Sequence, residues 1–495
     1  MSGRPDPGDA VWVGLDLGTG SARAVAVTAD GRVLGRGAES LASRREDGRH
    51  EQDPRDWWDA LAQACRAALT DVDPRRVRAV ATDSTSGTVL LVDRHGDPLT
   101  AALMYDDGRA SDQALRANEV GQALWSRLGY RMQAGWGLPK LLWLAEHERQ
   151  LLPHARLAHQ ADYITRRLVG RDVPTDSSHA LKTGYDLLEG CWPREVLDGL
   201  GVPAEVMPDV VRSGSRLGGI CEEAAQATGL PEGAAVIAGM TDSCAAQIAA
   251  GALEDGNWNS VLGTTLALKG ASADLVRDPN GTLYCHAAPD GGWLPGGASS
   301  TGAGILSSTF PERDLDDLGR QAAEHEDTSV LAYPLDGRGE RFPFDAAEAE
   351  GFVLGRPDDE AEHFAALLQG LAFIERLCFD YVDLLGAAVE GQVTLTGGAT
   401  RGGYFNQLRA DVLGRPVRLP AQGESAFGMA VLAAAQGGRV ADAVGAMVRV
   451  REVVEPRPAG RGRFLESYVR LVGELEGRGW LDARLADHAR TRAAK

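Results

Sequence analysis

The chain has 495 residues, 24% charged, 44% hydrophobic and 6% aromatic, which excludes disordered, collagenous and coiled-coil classes and predicts roughly two to three domains. Its net charge of −19, from 51 basic and 70 acidic residues, argues against a nucleic-acid scaffold or an anionic membrane surface as the main partner. A small anion held by local donors remains open.

The opening residues 1–10 are polar and lack the apolar core of a signal peptide. No apolar run approaches the roughly 18 residues of a membrane span. Six scattered cysteines, none in a C-x-x-C pair, fit reduced and mostly buried thiols. A soluble, cytoplasmic protein is expected.

The first predicted strand is VWVGLDL, residues 11–17, followed by the turn Gly18-Thr19-Gly20 and a second strand, SARAVAVTA. Asp30-Gly31 marks another turn before GRVLGRGAES, so the pattern is an antiparallel meander. Asp16 is therefore a carboxylate in an apolar strand at the lip of a glycine turn. Burying it is costly unless it is paired, hydrogen-bonded or metal-bound. Consecutive turn amides make an anion nest, to which Thr19 and Ser21 add hydroxyls. Such a pair of features suits a Mg²⁺–phosphate ligand. A hairpin whose Asp caps its own turn is the structural alternative.

A helix follows at RDWWDALAQACRAAL, with Pro54 at its start. VRAVATDS is a strand, and TVLLVD-RHGD-PL reads as a hairpin. The strand-end segment Asp83-Ser84-Thr85-Ser86-Gly87 offers hydroxyl contacts to a polar ligand. Tyr105-Asp106-Asp107-Gly108-Arg109 is either a solvated loop or a set of ligands for sugar hydroxyls. Residues 137–168 read as largely helical and 170–215 as irregular. AAVIAGM is a buried strand that opens into the helix TDSCAAQIAAGAL, with Asp242 or Ser243 near its N-cap. Asp242 is then either a plain cap or a general base. An alcohol attacking a phosphoryl group must lose its proton, and a carboxylate in reach can accept it.

A second meander, NWNSVLGTTLALKG, repeats the Leu-Gly-Thr of residues 17–19 at 262–264, about half a chain later, which points to an internal duplication. Gly263-Thr264-Thr265 offers the same turn chemistry, or is an ordinary hairpin. Next come a long amphipathic helix, FAALLQGLAFIERLCFDYVDLL, and a strand–turn–helix at GQVTLTGGATRGGYFNQLRADVLG with Gly397-Gly398 in the turn. SAFGMAVLAAAQGG is a small-residue helix suited to close packing, and the tail RFLESYVRLVGELEGRGWL is a one-sided helix. The expected architecture is two α/β halves, 1–245 and 246–495, each opened by an antiparallel hairpin. No low-complexity linker separates them, so a large shared interface with a cleft is expected.

Several chemistries are excluded. Lysine occurs only at Lys140, Lys182, Lys269 and Lys495 and never after glycine, so no Walker A loop is present. No histidine spacing suits a zinc site, and there is no G-x-S-x-G elbow. The first glycine loop leads into a strand rather than a helix, against a dinucleotide-binding Rossmann unit.

Taken together, GLDLGTGSARAVAV, GMTDSCAAQ, VLGTTLALKG and LTGGATRGGYFNQLRADVLGRPV resemble the FGGY carbohydrate kinases of the actin/hexokinase superfamily. WGLPKLLWLAEH, HQADYITRRLVG and SAFGMAVLAAAQ support the resemblance, which runs from about residue 11 to 470. It implies two ribonuclease-H-like domains, with mixed sheets flanked by helices, that close over the substrates. It also implies ATP-dependent phosphorylation of a sugar or polyol hydroxyl with Mg²⁺, in a monomer or homodimer with no nucleic-acid or membrane partner. By position, Asp16 matches the Mg²⁺-associated acid and lies at the substrate, while Thr19 and Ser21 fall in the first phosphate loop. Asp242 matches the catalytic base, also at the substrate. Gly263, Thr264 and Thr265 fall in the second phosphate loop. Gly397, Gly398 and Asn406 match the adenosine side, and Gly302 and Gly304 correspond more loosely to a nucleotide-side segment. Residues 105–109 stand where many members carry W-x-D-x-R, with Tyr in place of Trp, so Asp107 and Arg109 are the implied sugar ligands, joined by Ser86. The Ser84–Gly87 segment departs from the Gln-Met-His of typical xylulokinases and the Gln-Arg-Glu of glycerol kinases. It is similar to that of D-ribulose kinases, so D-ribulose is expected first and D-xylulose second. An actin-like ATPase with an interaction role is the alternative of a different class.

Overall fold

The computed structural model describes residues 9–458 and 460–494; the first eight residues of the polar opening and Lys495 lie outside the described residues. The chain forms two compact units. The first runs to Gly251 and takes in His286–Gly292 and Gln422–Arg449; the second comprises Ala252–Cys285, Trp293–Ala421 and the chain from Val450 onward.

In the first unit, β1 (Val11–Leu17), β2 (Ser21–Thr28) and β3 (Val33–Ser40) form the expected meander. Helix α1 (Pro54–Ala68) starts where the Asp53 carboxylate accepts from the Arg55 N–H, and Pro54 supplies a first residue that needs no partner. It buries Trp57, Leu61, Ala64, Cys65 and Ala68, the i, i+3, i+4 face that its sequence predicts. Strand β4 (Val77–Ser84) lies parallel to β1. Strands β5 (Arg216–Gly219) and β6 (Ala235–Ile237) complete the sheet in the order β5-β6-β4-β1-β2-β3. Helix α2 (Asp242–Ala249) follows β6. The small-residue helix Ser425–Ala435 packs on β1 and α2, as its composition predicts. Gly428 permits this, because a Cβ there would stand 2.0 Å from the Ala245 carbonyl oxygen.

The second unit repeats the plan. Strands β7 (Trp258–Leu262), β8 (Leu266–Gly270) and β9 (Trp293–Ala298) are antiparallel. Strand β10 (Leu331–Glu340) and the 25-residue helix α3 (Glu360–Leu384) precede β11 (Val393–Thr396), which lies parallel to β7. Helix α4 (Gly403–Leu413), β12 (Val417–Pro420) and β13 (Val450–Val454) follow. The order β9-β8-β7-β11-β12-β13, within a seven-stranded sheet, matches that of the first unit in position and direction, although the edge strand beside β12 follows it in the chain whereas β5 precedes β6. The duplication hinted at by three residues is thus carried by both sheets, and the repeated Leu-Gly-Thr sits in equivalent hairpins.

Two local expectations change. The helical stretch 137–168 is interrupted by a strand, Arg156–His159, which pairs with Val89–Val92. Four residues are too few for periodicity to reveal, and a distant partner makes the strand. The RHGD hairpin closes through a single bridge, Val92 to Pro98, because Val89–Val92 pairs elsewhere. Among the described residues all six cysteines are free thiols, and no helix is long and apolar enough to cross a membrane.

Candidate active site

Asp16 stands near the end of β1, just before the turn in which the Gly18 N–H donates to the Ser21 carbonyl at 3.1 Å. The Gln52 amide braces this turn through the Thr19 carbonyl, at 2.7 Å. Asp16 is 6% exposed. Across β2 its register partner is Arg23, whose guanidinium donates to it at 3.3 Å. Across β4 its register partner is a second acid, Asp83. Asp83 is fully buried, and among the described residues neither of its oxygens accepts from a donor while it is ionised. Its carboxyl lies within hydrogen-bonding reach of Asp16, so a bond forms once Asp83 carries a proton. Burial holds Asp16 above the ordinary carboxylate range, against the lowering pull of Asp83 and Arg23. Burial and the charges of Asp16 and Asp242 hold Asp83 well above the ordinary carboxylate range. Two such carboxyls share one proton or meet a cation. Asp83 was legible only as a polar strand end. The available signal was its match to Asp16: an acid closing a mostly apolar strand just before a glycine- and hydroxyl-rich turn.

Asp242 opens α2, after Thr241 at the N-cap, and is half-buried. The Ser243 N–H donates to its Oδ1 at 2.7 Å, and the Ser425 hydroxyl holds its backbone carbonyl at 3.1 Å. The charge of Asp242 is felt at Asp16 and Asp83, which places the three acids in one region of the first unit.

Beyond β4, each hydroxyl in the 84–86 segment has a distinct environment. Ser84 Oγ is 2.8 Å from His179 Nε2, and His179 Nδ1 is 2.7 Å from Asp176. Burial lowers the His179 imidazole, but Asp176, with Asp162 and Asp242 farther off, carries it above its ordinary value. Thr85 donates to Gln160 at 2.7 Å. Ser86 Oγ is buried without a partner among the described residues and suits a ligand hydroxyl. Lys140, wholly buried, donates to the carbonyls of Gly87, Met104 and Gly135 and so ties the strand end to the 104–109 loop. Burial pulls its ammonium down to about 7. Three carbonyl acceptors nevertheless favour the charged form, since a neutral amine has only two protons to give.

Asp107 and Arg109 are spent on each other. The Asp107 carboxylate accepts from the His50 N–H, the Arg109 N–H, Arg109 Nε and Arg109 Nη2, at 2.7–3.1 Å. Four donors fill a carboxylate. Arg109 also binds Glu51 at 2.7 Å and lies over the Trp143 ring. A sugar hydroxyl would have to displace one of these bonds, so the geometry gives the pair a bracing position rather than an open ligand set.

In the second unit, the turn Gly263–Thr265 joins β7 to β8, with both threonines exposed. The 299–304 segment is laced to it. The Ala303 N–H donates to the Gly263 carbonyl at 2.9 Å, the Gly304 N–H to that of Thr264 at 3.1 Å, and the Leu266 N–H to that of Thr301 at 2.8 Å. A Cβ at Gly302 would stand 2.3 Å from the Thr264 oxygen, so only glycine fits. Glu340, at the end of β10, anchors the segment. Its buried carboxylate accepts from Ser299 Oγ, Ser300 N–H, Thr301 Oγ1, Tyr333 OH and Arg341 N–H, at 2.6–3.0 Å. Losing such charge-assisted bonds costs about 1.5–3 kcal/mol. We expect Glu340→Gln to destabilise the fold by about 1.5–3 kcal/mol through loss of this anchor, as denaturant unfolding will read.

Beside the turn lies a cavity of about 590 Å³, lined by Thr264, Gly304, Gly398, Arg401, Tyr404 and Phe405 among others, large enough for a nucleoside. Gly397, at φ +90°, leads into the 398–401 turn that contributes to the lining. Asn406 is buried, and its amide donates to the Thr400 carbonyl at 2.8 Å, so it braces the 398–401 turn from behind.

These two sites can be set beside known proteins. The N-terminal domain model of the FGGY family of carbohydrate kinases matches residues 11–249, and its C-terminal domain model matches residues 258–437. The chain belongs to the FGGY family of carbohydrate kinases. This FGGY chain is 32% identical over 424 residues to a xylulose kinase of Streptomyces coelicolor, covering 82% of this chain and 84% of that one. It is 26% identical over 477 residues to a xylulose kinase of Staphylococcus epidermidis, with 92% and 95% covered. A crystal structure of xylulose kinase from Rhodospirillum rubrum superposes with a TM-score of 0.84 at 27% identity, covering 94% of this chain and 99% of that one. The chain is a two-domain α/β enzyme, a carbohydrate kinase that transfers a phosphoryl group to an alcohol, with a sugar and ATP as its small-molecule partners.

Proposed function

We propose that the acceptor is the terminal hydroxyl of a ketopentose, D-xylulose first, and that Asp242 is the base. The observation that carries it is Asp242 on the first turn of α2, fixed by the Ser243 N–H, in the same acidic region as Asp16 and Asp83. In the reaction the acceptor hydroxyl loses its proton to Asp242 as it attacks the γ-phosphorus. Residues 1–245 supply the acceptor site, the base and the first phosphate loop, with Thr19 and Ser21 as its hydroxyls. Ser86 meets a sugar hydroxyl, while Asp107 and Arg109 hold the loop that frames the sugar. Residues 246–495 supply the nucleotide side: Gly263, Thr264 and Thr265 at the phosphates, and Gly302, Gly397 and Gly398 along the nucleoside, with Asn406 bracing their turn.

The buried carboxyl pair fits a divalent cation, and Asp16 would hold Mg²⁺ directly or through water. When bound, the ion offsets charge on the phosphates. A cytoplasmic monomer or homodimer completes the proposal.

The sugar preference follows the xylulose kinases named above, which resemble this chain over most of its length. The Ser84-Thr85-Ser86 segment favours D-ribulose as a second reading. The two sugars differ in configuration at one carbon, so a panel of ketoses and polyols in a coupled ADP-release assay decides between them. Release stimulated most by a ketopentose is expected. ADP release that ignores every sugar would instead identify an actin-like ATPase.

A further inference from the structure

We propose that Asp83 is a second carboxylate of the divalent-cation site, beside Asp16, an assignment that rests on the phosphotransfer function above. Asp16 and Asp83 are register partners on adjacent parallel strands, so their side chains leave the sheet on the same face, about 5 Å apart at the backbone. Asp83 is fully buried, and among the described residues no donor reaches either of its oxygens. Asp16 pairs with Arg23 at 3.3 Å, and that guanidinium is half exposed. Asp242 and Glu424 add negative charge nearby. A structural acid in such a place would be capped by amides or paired with arginine. Asp107 is held in that way in the same unit, by four donors. Asp83 has no comparable set and is aimed instead at its acidic neighbour. Among the described residues no three His, Cys, Asp or Glu side chains converge into a self-sufficient metal cage. Two carboxylates completed by phosphate oxygens and water are the habit of Mg²⁺ rather than of a dedicated cage.

The test is binding of Mn²⁺, alone and with ADP, to the full-length wild type, Asp83→Asn and Asp107→Asn, followed by electron paramagnetic resonance. Asp83→Asn should weaken Mn²⁺ binding roughly tenfold or more, while ADP binding without metal is kept. Its melting temperature in EDTA should equal or exceed that of the wild type, since one of two facing acids is gone. Asp107→Asn should leave Mn²⁺ affinity unchanged. Native Mn²⁺ affinity in Asp83→Asn overturns the proposal. So does a variant that melts below wild type in EDTA and still binds Mn²⁺ normally in its folded fraction, since Asp83 would then be structural. These readings use no sugar. Failure of wild type to release ADP on any sugar would overturn the kinase activity alone.

Discussion

Asp242→Asn is expected to lower kcat for sugar-dependent ADP release by about 10²–10⁴-fold and to leave ATP binding within a factor of a few. The amide keeps the shape of the carboxylate and its bond from the Ser243 N–H, so α2 still starts at residue 242. What is lost is the acceptor for the hydroxyl proton. Stopped-flow ADP release with saturating sugar reads the chemical step, and equilibrium titration with ATP reads binding. Near-wild-type turnover would remove Asp242 from the reaction and shift the role of base to Asp16 or Asp83.

Lys140→Met should be the most damaging change away from the reacting groups. Its ammonium is wholly buried and satisfies three carbonyl oxygens drawn from three separate segments, at Gly87, Met104 and Gly135. Methionine fills a similar volume and donates nothing. Each buried oxygen left unpaired costs about 1–3 kcal/mol, so a loss of at least about 3 kcal/mol is expected in denaturant unfolding. The loops that Lys140 joins also frame the proposed sugar site, so the KM for the sugar should rise while the KM for ATP holds. An unchanged unfolding midpoint would mean that water replaces the ammonium without cost.

The two hairpins were legible because glycine turns between apolar strands announce themselves within a few residues. Asp16 and Asp242 stood out for a related reason: each is an acid in or just after an apolar strand. Asp83 obeys the same rule, yet the run of hydroxyls after it makes it look like a solvated strand end. Only the register of β4 against β1 turns it toward Asp16. Asp107 and Arg109 carry the opposite ambiguity. Two charged residues in a loop suggest a ligand, but their separation by one residue also lets them bond each other, and local sequence cannot tell these outcomes apart. Lys140 was invisible because its partners are backbone carbonyls, and Glu340 because its partners are uncharged hydroxyls and backbone N–H groups, most of them some 40 residues away. A buried charge satisfied by main-chain atoms leaves no complementary residue to find.

The placement of helix Ser425–Ala435 within the first unit bears on how the polypeptide is made. During synthesis, β1 and α2 emerge early, yet the helix that covers them is encoded near the C-terminus. The N-terminal half therefore waits on the ribosome with an apolar face uncovered until residue 435 has cleared the exit tunnel. Chain release before that point leaves a sticky fragment, so expressing residues 1–245 alone should give aggregates, and supplying residues 422–449 in trans should rescue solubility.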